Sequence, residues 1–457
     1  MKRFENLIIA VLLVTLLFQA VPVSQAKAEG ISSPIQNSDD ATTFLIVFLN
    51  DDPSSLNGTV LITEQMQKAV EASGGFQGLA ASLSALGTVQ KTYAAQEISL
   101  GSMKAYRIPC QFSLMSLDLV LSVQDGALAG LVTAPFSGSA DEESLTSANK
   151  AYEEYDLPLP VPSLNGELPG VLLVPTGDGP YPAVVLVHGS GPNDRDETIM
   201  AQKPFRDIAE GLAQLGIAVY RYDKRTYVFG SELSGDIYLT LKDETVDDAE
   251  AAVQLLSRQD RIDPEHIFVL GHSLGAAAVP AISSALNNAV AKACGFILMA
   301  PSARSLDQLM KDQTDYLYSL LPEISAEQQA YKDQLFSDLD QLDGIDNLPD
   351  DMQIAGAYVP YWRWLAAYDP LAEARTITVP CLLLQGDEDY QVTMEDFSLW
   401  QEAVQELGNW QLVSYPGLVH TFVKGQKTEG SSVYMNNEKV DQKVINDIAD
   451  FIIQNCP

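Results

Sequence analysis

Apolar positions along this 457-residue chain change rhythm twice. Between residues 41 and 136 they first recur with helical spacing, from Phe44 to Leu49 and again from Met66 to Val70. They then alternate, most clearly at Leu117, Leu119, Leu121 and Val123, with Asp118 and Ser122 on the opposite face. A period of two predicts strands with one buried side. Gln124-Asp125-Gly126 supplies a hairpin turn into the run from Leu128 to Val132. The pattern describes a small α+β domain, with residues 30–40 reading as a disordered segment before it and an acidic, polar linker after it, around 137–154.

From residue 155 to 457 the grammar is different. Short, continuous apolar runs alternate with helical segments: Gly170 to Val174, Ala183 to Val187, Ile217 to Tyr222, Ile267 to Leu270, Phe296 to Ala300, Cys381 to Leu384 and Leu412 to Tyr415. The helical segments run from Lys203 to Leu215, Lys242 to Ser257, Met394 to Glu406 and Val440 to Ile453. Strands apolar on both faces, separated by helices, predict an α/β domain with a mainly parallel sheet covered on each side. One long interruption, 302–375, is helical in pattern, acidic and rich in tyrosine and tryptophan. An insertion of that length between two strands reads as a cap.

Composition adds an address. Lys2 and Arg3, the apolar stretch from Leu7 to Phe18 and the small residues Ser24, Ala26 and Ala28 have the order of a signal peptide over residues 1–28. The chain is therefore expected outside the cell, or anchored there if the segment is not cleaved. A formal charge of −34 repels phosphate backbones and anionic headgroups, so neither nucleic acid nor a lasting membrane association is expected. Cys110, Cys294, Cys381 and Cys456 match no zinc spacing and are too few for a disulfide framework; they read as free, buried thiols. Nothing in the sequence sets an oligomeric state.

The chemistry centres on Gly271-His272-Ser273-Leu274-Gly275, which follows the run Ile267 to Leu270 and precedes the small-residue helix starting at Ala276. Strand, sharp turn carrying a serine, then helix lifts a hydroxyl above a sheet edge for nucleophilic attack. Alone, such a string arises readily by chance, so its partners decide. On this kind of sheet they follow in the order serine, acid, histidine. Of His188, His266, His272 and His420, only His420 is eligible as the base, in a loop after the last strand. The acid belongs to Gly386-Asp387-Glu388-Asp389, after the preceding strand. Asp389 is favoured, Asp387 is the alternative, and Glu388 is expected to face solvent. An oxyanion needs two N–H donors. Leu274 follows the nucleophile and Ser190 lies in His188-Gly189-Ser190-Gly191-Pro192, after an earlier strand. In the following segment, Asn193 to Glu197, Arg195 is expected to form a salt bridge rather than to bind substrate.

Residues from about 166 to 453 resemble the α/β-hydrolase superfamily, most closely its secreted, esterase-like branch related to dienelactone hydrolases. The resemblance rests on the segment His188 to Glu197, on Arg221-Tyr222-Asp223-Lys224-Arg225-Thr226, on the serine turn, and on Gly386, Asp389 and His420. It implies an α/β-hydrolase fold with a helical cap, preceded by a small domain of unknown function. Dienelactone hydrolases proper carry a cysteine where this chain has Ser273, so their cyclic-lactone chemistry is not carried over. The implied activity is cleavage of small-molecule carboxylic esters through an acyl-enzyme, needing no metal or cofactor. A serine peptidase or acyltransferase would use the same machinery, and a binding protein on a hydrolase scaffold is the alternative from another class. The aromatic insertion is compatible with a partly apolar acyl group or with plain core packing.

Overall fold

The computed structural model describes residues 35–134, except 51–55, 57–59, 73–74, 78–88, 93–94, 101–102 and 113–115, and residues 151–456, except 322 and 325. Residues 1–28, read above as a signal peptide, lie outside the described residues. The chain divides into two compact units.

In the first unit, helices α1 (Ser38–Asn50) and α2 (Glu64–Ala72) precede strands β1 (Val89–Thr92), β2 (Gln96–Leu100), β3 (Met103–Phe112), β4 (Ser116–Gln124) and β5 (Ala127–Ala134). The sheet is antiparallel, in the order β1-β3-β4-β5, with β2 also paired to β3. The alternation in β4 has the expected result, since Leu119, Leu121 and Val123 join Phe44, Leu45 and Phe48 of α1 in one core. Asp125 and Gly126, both at positive φ, make the expected hairpin turn between β4 and β5. Two expectations need correcting. Asp118 is buried rather than solvated, because Arg107 on the neighbouring strand pairs with it at 3.4 Å. The stretch 35–40 is ordered: Ile35 is buried, its N–H bonds the Gly126 carbonyl, and α1 already begins at Ser38.

The second unit is built on an eight-stranded sheet. Its strands are β6 (Tyr152–Asp156), β9 (Gly170–Pro175), β10 (Tyr181–Val187), β11 (Ala218–Tyr222), β12 (Ile262–His272), β13 (Gly295–Met299), β16 (Cys381–Gly386) and β17 (Trp410–Tyr415). A small pair, β7 (Leu159–Val161) and β8 (Gly166–Leu168), and a hairpin, β14 (Gln353–Ile354) and β15 (Ala357–Tyr358), stand apart from it. The order is β17-β16-β13-β12-β10-β11-β9-β6, parallel from β17 to β11 and antiparallel at the β9-β6 edge. β6 begins before the boundary expected at 155. Its sequence, Tyr-Glu-Glu-Tyr-Asp, buries one residue only and so carries no apolar run to read.

The continuous apolar strands exist because each face of the sheet has its own core. Along β10, Val185 and Val187 belong to one core with α4 (Asp247–Leu256) and α11 (Met394–Val404), while Val184 and Leu186 belong to the other with α3 (Pro204–Gln214) and α12 (Gln442–Gln454). After β10 the chain adds β11 on one side and then β12 on the other. Beside β10 the direction of winding therefore reverses, opening a crevice at the strands' carboxyl ends.

Between β13 and β16 lies the insertion: α7 (Leu306–Ser319), α8 (Ala326–Asp340), the β14–β15 hairpin, α9 (Val359–Ala367) and α10 (Pro370–Ala374). It has a small core of its own around Leu335, Leu339, Val359 and Trp362. Cys110 and Cys381 are buried free thiols, whereas Cys294 and Cys456 are free but only half-buried, at the sheet's lower rim and the end of α12. Among the described residues no helix is long and apolar enough to cross a membrane.

Candidate active site

Ser273 stands between β12 and the short helix α5 (Leu274–Ala277), which continues after a break as α6 (Val279–Asn287). Its backbone is strained, at φ 55° and ψ −121°. The turn is so tight that a Cβ on Gly271 would lie 2.4 Å from the Gly275 carbonyl oxygen. One on Gly275 would lie 2.3 Å from that of His188. Both flanking glycines are thus required by backbone meeting backbone, and the bond from Ser273 N–H to the Met299 carbonyl (2.9 Å) ties the turn to β13. As the first residue of α5, Leu274 has an N–H with no partner inside the helix.

The loop after β16 delivers Asp389, and the loop after β17 delivers His420. The two loops are stitched together: Asp387 N–H bonds the Tyr415 carbonyl and Glu388 N–H bonds that of Leu418, both at 3.0 Å. Asp389 Oδ2 lies 2.6 Å from His420 Nδ1, with both residues 3% exposed. The carboxylate also accepts the N–H groups of Gln391 and Val392 and the amide of buried Gln385. Four donors converge on one acid, which fixes its orientation and leaves His420 Nε2 as the ring atom directed away from it. Asp387 is exposed and accepts the Gly417 N–H instead. Glu388, expected in solvent, is half-buried because it accepts the Lys427 N–H.

The third loop, after β10, lies against the serine: a Cβ on Gly189 would stand 3.0 Å from Ser273 Cβ. Its peptide planes are set from behind. Asn193 Nδ2 donates to the carbonyls of Gly189, Ser190 and Gly191, and buried Lys224 Nζ donates to Gly189 at 3.0 Å. Ser190 itself is exposed on this loop. Arg195 forms the salt bridge expected of it, a two-pronged contact with Asp223 at 3.0 Å. The neighbouring Arg221 pairs with Asp196, and Arg225 with Asp248. The Arg221 to Thr226 segment is therefore the brace for the loop before it.

Three residues went unrecognised from sequence. Glu197 and His272 form a buried pair, Glu197 Oε2 to His272 Nδ1 at 2.8 Å, and the other ring nitrogen of His272 lies 3.0 Å from the His420 carbonyl. In sequence Glu197 reads as part of a polar loop, and His272 is ineligible as the base because it sits inside the serine turn. Only a carboxylate and a histidine flanking the two key motifs hinted at them. Lys224 is the third. It is 2% exposed and pairs with Glu244 at 3.6 Å, and Glu244 in turn accepts the Tyr361 hydroxyl at 2.8 Å. Replacing Lys224 with methionine leaves a buried carboxylate unpaired, and should cost about 3 kcal/mol of stability in urea unfolding. Adding Glu244→Gln should recover part of that loss. His188 is no rival base: burial pushes its pKa down to about 4, and its ring packs against Phe205 and Tyr222.

Most insertion aromatics prove to be packing. Trp362 is core, Tyr361 holds Glu244, and the Tyr368 hydroxyl donates to the Ala277 carbonyl while accepting the Ala281 N–H. Tyr316 of α7 is stacked on Tyr390, next to Asp389. Among the described residues no group of acids, histidines and cysteines is arranged to hold a metal.

Comparison with known proteins agrees with this architecture. The family described as serine aminopeptidase, S33, matches residues 180–426. Esterase EstD of Thermotoga maritima is 33% identical over 429 residues, covering 90% of this chain and 99% of the relative. Among solved structures, Est1E from Butyrivibrio proteoclasticus is similar at 17% identity and a TM-score of 0.42, covering 66% of this chain and 98% of its own. The Pyrococcus furiosus esterase Pf2001 is similar at 17% identity and a TM-score of 0.43, covering 71% and 97%. From the fold, the serine turn and this match over more than half its length, the chain belongs to the serine aminopeptidase S33 family of α/β-hydrolases.

Proposed function

We propose that this protein is a secreted serine hydrolase that cleaves small-molecule carboxylic esters through an acyl-enzyme on Ser273. A carboxylesterase-type hydrolase is what its 33%-identical relative, an esterase over nearly the whole shared length, supports. The observation that carries the mechanism is the Asp389–His420 pair, buried and 2.6 Å apart, delivered to the same crevice as the strained serine turn.

With Nδ1–H directed at Asp389, the neutral His420 ring has its lone pair on Nε2 and acts as the base. It takes the Ser273 proton as Oγ attacks the ester carbonyl, and Asp389 stabilises the imidazolium that forms. The N–H groups of Ser190 and Leu274 hold the oxyanion, Leu274 with the added positive end of α5. His420 then protonates the departing alcohol. In the second half-reaction it activates water, which releases the acid and restores Ser273. Secretion rests on the residues 1–28, and an N-terminus near residue 29 in protein recovered from the medium tests it.

The family's name raises the peptidase alternative, which shares every one of these parts. A fluorophosphonate probe separates enzyme from inert scaffold: it should label the wild type covalently and leave Ser273→Ala unlabelled, and an unlabelled wild type would refute the reading. Turnover of small aryl esters with none of aminoacyl amides is the result expected of an esterase; the reverse would make the protein a peptidase.

A further inference from the structure

Hydrogen-bond counting at His272 leads to a second charged pair behind the first. Its Nδ1 faces the Glu197 carboxylate at 2.8 Å and its Nε2 faces the His420 carbonyl at 3.0 Å. The carbonyl only accepts, and so does Glu197 as a carboxylate, the form that the Gly189 N–H on its other oxygen favours. A neutral imidazole carries one N–H, so with Glu197 ionised the two contacts take two, and His272 is then an imidazolium held by a carboxylate. The other Glu197 oxygen accepts the Gly189 N–H at 2.7 Å. A single chain of contacts therefore runs from the oxyanion loop to the base loop: Gly189 N–H, Glu197, His272, and the carbonyl of His420. It passes through the residue next to Ser273, under rings of Phe205 and Phe422, with Glu197 1% and His272 3% exposed.

We propose that the Glu197–His272 ion pair is a positioning bridge for ester cleavage. It holds the Ser190 loop and the His420 loop in register with Ser273, and it presents His420 with a neutralised pair rather than a bare buried charge. This rests on the reading of Ser273, Asp389 and His420 as the catalytic triad.

The surroundings agree. Burial works against the charged form of both groups, yet their mutual attraction outweighs it. Glu197 lies below its ordinary value because of His272 and the Gly189 N–H, and His272 lies above its own because of Glu197 and the His420 carbonyl. The other titratable groups facing the pair are Asp389 and His420 from the loops after β16 and β17, and neutral His188 at the end of β10. Asp194, Asp223 and Lys224 lie around His188. Removing an ion pair from water is costly. What a neutral pair would not supply is a charge-assisted hydrogen bond at each end.

The test is kcat and KM against pH on a small aryl ester for His272→Gln, Glu197→Gln, Glu197→Ala and the His272→Gln/Glu197→Gln double variant. His272→Gln strands the Glu197 anion beside the rings, and an anion favours protonated His420. The acid limb of kcat/KM should therefore rise by about one pH unit. The double variant, with no anion, should return the limb to its wild-type position. Glu197→Ala should lower kcat about 10²-fold with little change in KM. Glu197→Gln, which can still span Gly189 and a neutral His272, should stay within about tenfold of wild type. A merely structural pair would lower activity and Tm together without moving the limb, and that result overturns the bridge. If His272→Gln does not fold, the Glu197→Ala and Glu197→Gln pair decides: equal kcat in the two overturns it. Labelling of wild-type Ser273 by fluorophosphonate, run alongside, keeps the questions apart. A labelled wild type with unaffected variants refutes the bridge alone, whereas an unlabelled wild type refutes the triad.

Discussion

Ser273→Ala should lower kcat on a small aryl ester by about 10⁶-fold, and Asp389→Asn by about 10⁴-fold, with the double variant no worse than Ser273→Ala. The serine effect is large because no neighbouring hydroxyl occupies the turn; what survives is binding and the N–H groups of Ser190 and Leu274. The aspartate effect has a particular cause here. Asp389 spends one oxygen on the N–H groups of Gln391 and Val392 and the other on Gln385 and His420. An asparagine must keep an acceptor toward those donors, and whichever way its amide turns, an NH₂ meets an N–H. Where it turns toward His420, the ring takes the tautomer with its proton on Nε2 and can no longer accept from Ser273. The loss should therefore fall on kcat, with KM nearly unchanged. Additive losses in the double variant would mean that the two residues do not act as one unit. Asp387→Asn is the control: its exposed carboxylate holds the Gly417 N–H, so an effect under about tenfold is expected.

Gly275→Ala should cost on the order of 5 kcal/mol of stability or prevent folding. Its Cβ would meet the carbonyl oxygens of Val187 and His188 at 2.5 and 2.3 Å, and these are backbone atoms of a central strand with nowhere to go. Gly271→Ala should behave alike, since its obstacle is also backbone. Gly216→Ala is an informative contrast: nothing lies within 4 Å, and only its positive φ of 89° resists the change, so a cost near 1 kcal/mol is expected. Urea unfolding of the three variants separates crowding from backbone strain. Equal losses would contradict the close approach of β12's turn to β10.

Much of this was legible in the residues. A strand buried on both faces must be apolar at every position, so β10, β12, β13 and β16 announce themselves in sequence; β6, exposed on all but Tyr152, does not. The serine turn pointed to Ser273, and chain order then pointed to His420 and to the acids after β16, Asp389 ahead of Asp387, because loops after successive strands of a parallel sheet open on the same edge. Polar networks resist such reading. Glu197 reaches His272 across 75 positions and Lys224 reaches Gly189 across 35, and nothing periodic links them. Asp118 misled for the opposite reason: a charge in an alternating strand reads as solvated unless its ion partner on the next strand is known.

The break between α5 and α6 has a consequence for how the insertion behaves. In an unbroken helix the Ala281 N–H would bond the Ala277 carbonyl directly. Here the Tyr368 hydroxyl stands between them, donating to one and accepting from the other. A side chain of the insertion is thus a rung in the backbone ladder of the helix behind Ser273. Swinging the insertion aside would orphan two main-chain groups there and strip Glu244 of the Tyr361 hydroxyl as well. The insertion is a keystone rather than a hinged lid, and trimming it to widen the crevice would remove the masonry that holds the serine turn in place.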